Sequence, residues 1–131
     1  MTTHRLIQAV VLAAFLFSTS LASAESKVEK AFRVLKAQRA QGDGPLLLIL
    51  SGAASALMSV NAQLSVSLSG RDPLFCVPKD LSLNSYNYAD IALQEFERRP
   101  EWYRHEYLEA HPNDAVVDAL VIGMEVTFPC K

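Results

Sequence analysis

Three groups of residues in the chain have types that could do chemistry: His105-Glu106-Tyr107-Leu108-Glu109-Ala110-His111, the cysteines Cys76 and Cys130, and Ser51-Gly52-Ala53-Ala54-Ser55. The first resembles a metalloprotease helix, which needs two histidines four residues apart so that both imidazoles reach one zinc ion. Here His111 falls six residues after His105, so the two rings point from different helical faces. His105 and Glu109 do share a face, which gives two ligands at most and otherwise reads as a solvated polar side. The serine stretch lacks the Gly-x-Ser-x-Gly elbow that presents a nucleophile, and its small residues suit close helix contact. No glycine-rich phosphate loop follows a strand. These residues point to a protein that is not an enzyme, with no cofactor and no metal.

The cysteines are read through their compartment. His4 and Arg5 precede an uninterrupted apolar run from Ala9 to Phe17, and Ala22-Ser23-Ala24 is a small-x-small cleavage site. The run is shorter than the ~20 residues that cross a bilayer. Residues 1–24 therefore read as a signal peptide cleaved after Ala24, and residues 25–131 as one domain outside the cytoplasm, in a bacterial periplasm. In an oxidising compartment an even cysteine count in a short chain favours a structural disulfide, and only Cys76 with Cys130 can form it. Oxidised, the pair leaves no thiolate nucleophile. The chain has 131 residues, with 12 Lys and Arg against 14 Asp and Glu and a net charge of −2. That balance gives no basic footprint for nucleic acid or for an acidic membrane surface.

The elements that must position these residues are helical almost throughout. Ser26 and Glu29 fit a capping box, and Val28, Ala31, Phe32 and Leu35 repeat on one face until Gly42. After the Gly42-Asp43-Gly44-Pro45 turn, Leu50, Ala53, Ala54, Leu57, Asn61 and Leu64 keep helical spacing, which predicts a central buried helix too short for a bilayer span. Residues 60–68 also alternate apolar with polar, so they read as helix or as strand. Tyr86, Ala89, Leu93 and Phe96 give a third helix that ends before Pro100. A fourth runs from Glu101 to about Ala110. The last starts with Asn113 as its cap, with Val117, Leu120, Val121, Met124 and Phe128 as its stripe and a tolerated Gly123 inside it. The fold class predicted is an all-α, small single-domain bundle of four to five helices with one disulfide.

Between the third and last helices, Arg98 to Pro112 gathers Trp102, Tyr103, Tyr107, arginines, histidines and glutamates between two proline breaks. Trp, Tyr and Arg dominate binding hot spots, because each joins large contact area to a polar handle. The aromatic trio reads equally as a partner surface or as bundle core.

Phe75-Cys76-Val77-Pro78, the polar helix ending in Ala110-His111-Pro112, and the closing Phe128-Pro129-Cys130 together resemble the Rap/Tai family of type VI secretion immunity proteins, over roughly residues 70–131. The resemblance implies a small periplasmic helical inhibitor that binds a cognate peptidoglycan amidase effector and blocks its active-site cleft. Some members act as dimers, so a homodimer is a further implied partner; no nucleic acid and, after signal cleavage, no membrane is expected. Cys76 and Cys130 match the family's disulfide pair. His111-Pro112 match its helix-breaking pair, with Arg99-Pro100 a competing alignment. On this reading the partner-binding set is Arg98, Arg99, Glu101, Trp102, Tyr103, His105, Tyr107, Glu109 and His111. A second class, a periplasmic acid-stress chaperone of the HdeA type, shares the size, export, helicity and single disulfide; it would dissociate or partly unfold near pH ~2–3.

Overall fold

The computed structural model describes residues 24–66, 71–107 and 111–131. Among them are five helices and no strand: α1 (Lys27–Gln41), α2 (Pro45–Val66), α3 (Ser85–Arg98), α4 (Pro100–Glu106) and α5 (Pro112–Thr127). The chain is an all-α domain with one disulfide, as expected. Of the export segment, residues 1–24, all but Ala24 lie outside the described residues.

α1 forms as its sequence dictates. The Ser26 hydroxyl accepts from the Glu29 N–H at 3.1 Å, while the Glu29 carboxylate accepts from the Ser26 N–H at 2.9 Å. Two of the otherwise unpaired first-turn donors are thereby satisfied. Val28, Ala31, Phe32 and Leu35 are buried, and the helix stops at Gly42 in the left-handed conformation. Gly44 has φ +138°, and a Cβ there would sit 2.3 Å from the Gln38 side chain. Only glycine fits, because Gln38 must reach across the turn, where its Oε1 accepts from the Leu46 N–H at 2.8 Å and caps the start of α2.

α2 settles one open reading and corrects two expectations. It runs unbroken through Val66, so residues 60–66 are helix rather than strand; the remaining two residues of that doubtful stretch are not described. With 22 residues it is also long and apolar enough to cross a membrane by length and composition. Nor is it a central buried helix. Leu46, Leu47, Leu50 and Ala54 face the core, whereas Leu48, Met58, Val60 and Val66 are exposed. Its far end is held by Asn61, whose carboxamide oxygen accepts from the Leu74 N–H at 2.7 Å and whose amide donates to the Phe75 carbonyl at 2.8 Å. Those bonds satisfy an irregular segment that has no ladder of its own.

The centre of the bundle is α3 against α5, the most extensive helix pair. Ala89 and Ala92 of α3 and Ala115, Ala119 and Gly123 of α5 are all buried. A Cβ at Gly123 would lie 2.7 Å from Ile91 Cγ2 and 3.0 Å from the Ile91 carbonyl oxygen, so the expected close helix contact is present. The stripe on α5 is rotated from the expected one. Ala115, Val116, Ala119, Leu120, Gly123 and Met124 are buried, while Val117 and Val121 are only partly so. The α5 start differs too: Pro112 takes the first helical position, with His111, not Asn113, at the cap, and no side chain caps it. Proline supplies the preset φ there, and its missing N–H would have been unpaired in any case.

Cys76 and Cys130 are bonded, with Cα atoms 5.0 Å apart. Beside the bridge the Cys76 N–H donates to the Phe128 carbonyl at 2.7 Å. Phe75 is buried under this junction, and Val77 and Phe128 pack against the core.

Candidate partner-binding surface

The polar segment singled out by sequence is built on Glu95, a residue of α3 that sequence reasoning missed. Glu95 is 1% exposed. Its Oε2 accepts from Arg98 Nη1 at 2.8 Å, and its Oε1 accepts from Arg99 Nε at 2.9 Å, from Arg99 Nη2, and from the Tyr103 hydroxyl at 3.4 Å. A buried carboxylate is costly unless paired and hydrogen-bonded, and here two guanidinium groups and a phenol meet it. The bond to Glu95 raises the Arg99 pKa above its ordinary value. The signal was present in the spacing, since Arg98 and Arg99 follow Glu95 at i+3 and i+4. It was missed because Tyr86, Leu93 and Phe96 drew the apolar stripe one position away from the one that is buried.

From this hub the aromatics run outward. Phe32 of α1 stacks on Phe96 with ring centres 3.9 Å apart, and Tyr103 lies edge-on to Phe32 at 5.9 Å. Trp102 meets Tyr103 edge-on at 4.8 Å, and Tyr107 stacks on Tyr103 at 6.1 Å. The two readings left open for this trio divide by residue. Tyr103 is 0% exposed and belongs to the core, so its place among partner-contacting residues is corrected; Trp102 is 39% exposed. Tyr107 is half-buried, its hydroxyl donating to Asp118 Oδ2 of α5. Burial pushes both phenols above their ordinary pKa, aided by the negative charge of Glu95 at Tyr103 and by the bond to Asp118 at Tyr107.

The charged residues of α4 are tied down as well. The Arg99 guanidinium lies over the Trp102 ring, 5.0 Å from its centre, a cation–π contact that adds to the Glu95 bonds. Arg104 joins Glu101 of α4 to Glu29 of α1, its Nε 3.1 Å from Glu29 Oε1 without the alignment of a hydrogen bond. The carboxylate that closes the α1 capping box thus also anchors α4. Left on the surface are Glu101, Trp102, His105 and Glu106, with Arg98 and Arg99 half-exposed beside them.

Of the predicted set, the fold brings Arg98, Arg99, Glu101, Trp102 and His105 to one end of α3 and one side of α4. His111 stands apart at the start of α5, 3.9 Å from Asp114. Glu109 lies in residues 108–110, outside those described. α4 itself ends at Glu106, short of the expected Ala110. A cavity of about 230 Å³ beside Glu95 is lined by Ile91, Gln94, Arg98, Gly123 and Val126. The carboxylate on its wall is bonded to Arg98, Arg99 and Tyr103. Among the described residues no three His, Cys, Asp or Glu side chains gather as metal ligands. Compared with known proteins, the chain matches no protein-family model, no curated protein and no solved structure.

Proposed function

We propose that this chain is a periplasmic immunity protein that binds a cognate type VI secretion peptidoglycan amidase and occludes its active-site cleft with α4. One observation carries the reading from the structure. Trp102 is half-exposed on a short helix that is pinned at three neighbouring side chains, Arg99 by Glu95, Arg104 by Glu29 and Tyr107 by Asp118. A large amphipathic ring held on an already ordered support loses little freedom on entering a cleft, so its contact area becomes affinity. Arg98, Glu101 and His105 around it would form the polar rim. The sequence likeness over residues 70–131 supplies the enzyme class; the geometry supports only a rigid, aromatic-centred contact.

The test is a pull-down with the purified protein, followed by the amidase activity of whatever is captured. Capture and inhibition of one peptidoglycan amidase supports the proposal. Capture of many unfolded clients at low pH, with no amidase, replaces it with the acid-chaperone reading.

A further inference from the structure

The disulfide lies at the surface, and its two cysteines are not equivalent. Cys76 is exposed, whereas Cys130 is half-buried. A hollow of about 360 Å³ borders Cys76 and not Cys130; Met58, Asn61, Ala62 and Ser65 of α2 line it together with Lys79. A second hollow, of about 610 Å³, borders both cysteines and is lined by Asp72, Pro73, Glu125 and Lys131.

Thiol–disulfide exchange begins with a thiolate attacking one of the two sulfurs, and access decides which. The thiolate arrives in line with the bond, from the side away from the sulfur that leaves. Attack on Cys76 therefore needs room away from Cys130, and the first hollow supplies it. Charge favours the same sulfur. Among the described residues, Lys79 is the only charged side chain lining that hollow, and its ammonium draws in an anion. The second hollow sets two carboxylates, Asp72 and Glu125, against the ammonium of Lys131. Cys130 Sγ also lies 3.7 Å from the Pro73 carbonyl oxygen, the negative end of a dipole, which opposes a thiolate arriving there.

We propose that Cys76 is the sulfur through which an external dithiol oxidoreductase opens and closes this bridge, its reactive cysteine entering the hollow beside Lys79. The partner's thiolate attacks Cys76 Sγ, a new S–S bond forms, and the Cys76–Cys130 bond breaks. The bonding pair leaves on Cys130 Sγ, which takes a proton from water. The partner's second thiolate then attacks its own sulfur in the mixed disulfide and releases Cys76 as a thiolate, protonated in turn. The chain gains two electrons and two protons; the dithiol loses them and departs as a disulfide. The same steps in reverse close the bridge. Between them, the bond from the Cys76 N–H to the Phe128 carbonyl holds the two thiols near each other. No residue of α4 takes part, so this inference stands or falls apart from the amidase reading.

The test mixes native oxidised protein with reduced glutathione, or with a thioredoxin-type oxidoreductase whose second cysteine is replaced by serine so that the reaction stops at the mixed disulfide. Free thiols are blocked with iodoacetamide at early times, and the adducts are located by peptide mass spectrometry. Both reagents should sit on Cys76 at least about tenfold more often than on Cys130, with the helical circular dichroism signal kept. Lys79→Glu should slow the reaction with glutathione, an anion, by at least about threefold at low salt and much less at high salt. Equal labelling of the two cysteines, a preference for Cys130, or adducts that form only in urea overturns the proposal, as does a Lys79→Glu rate equal to that of the wild type. Reaction with glutathione and none with the oxidoreductase overturns the choice of a protein partner.

Discussion

Trp102 and Tyr103 are neighbours of similar chemistry with opposite fates, and substitution separates them. Truncating Trp102 to alanine removes a half-exposed ring and should leave the helical signal intact while weakening amidase binding by at least ~2 kcal/mol. Tyr103→Ala opens the core beside the Phe32–Phe96 stack and strips a donor from Glu95, so it should cost stability of about 3–5 kcal/mol, read in a urea melt. Equal melting of the two variants would contradict this division. Tyr103 and Tyr107 also set an alkaline limit. Their phenols are held protonated in the fold by burial, whereas in the unfolded chain they ionise near pH ~10. The stability they confer is therefore complete below that pH and declines as pH rises above it, because the unfolded chain gives up the protons first. Absorbance at 295 nm should show these two phenols ionising only as the ellipticity is lost; their ionisation with the fold intact would refute the argument.

Packing between elements turns on the α3 and α5 contact. Gly123→Ala would gain up to about 1 kcal/mol in helix propensity, but the new methyl lands on Ile91 Cγ2 and on a backbone carbonyl that cannot step aside. Overpacking of this kind costs about 1–3 kcal/mol, so the melting temperature should fall rather than rise. A rise would mean that the helices slide apart without penalty. At this scale the sequence was legible where local rules decide and illegible where neighbours do. Ser26, Glu29, Gly42 and the Pro100 break marked their boundaries because caps and proline act within a few residues. The stripes of α3 and α5 were misplaced because valine, tyrosine and alanine all fit an apolar face, and close packing selected the alanines. Glu95 was invisible as a hub for the same reason: its neighbours at i+3 and i+4 were plain, but its burial depends on α4 and α5. α2 was misjudged since an apolar composition states what a helix can bury, not which of its sides the rest of the bundle reaches. The surface at α4 was legible as a segment, and only the three-dimensional arrangement could divide its aromatics between core and contact.

Across the whole molecule the Cys76–Cys130 bridge spans a sequence separation of 54, which in the loop-entropy picture is worth roughly 4 kcal/mol. Reduction, or Cys76→Ala, should lower the unfolding free energy by about that amount, and Cys130→Ala should do the same, with the double variant little worse than either. Two reactive thiols per native chain would show that the bridge is absent in the cell. The closed loop has a mechanical side as well. A chain pulled from its two ends transmits tension through the bonded sulfurs, so α3, α4 and α5 bear none of it, and α1 and α2 must yield alone. The slack stored behind the bridge is about 180 Å of extended chain at the usual reach per residue. In an optical trap, oxidised protein should open short by that length, and a reductant should release it in a single further step.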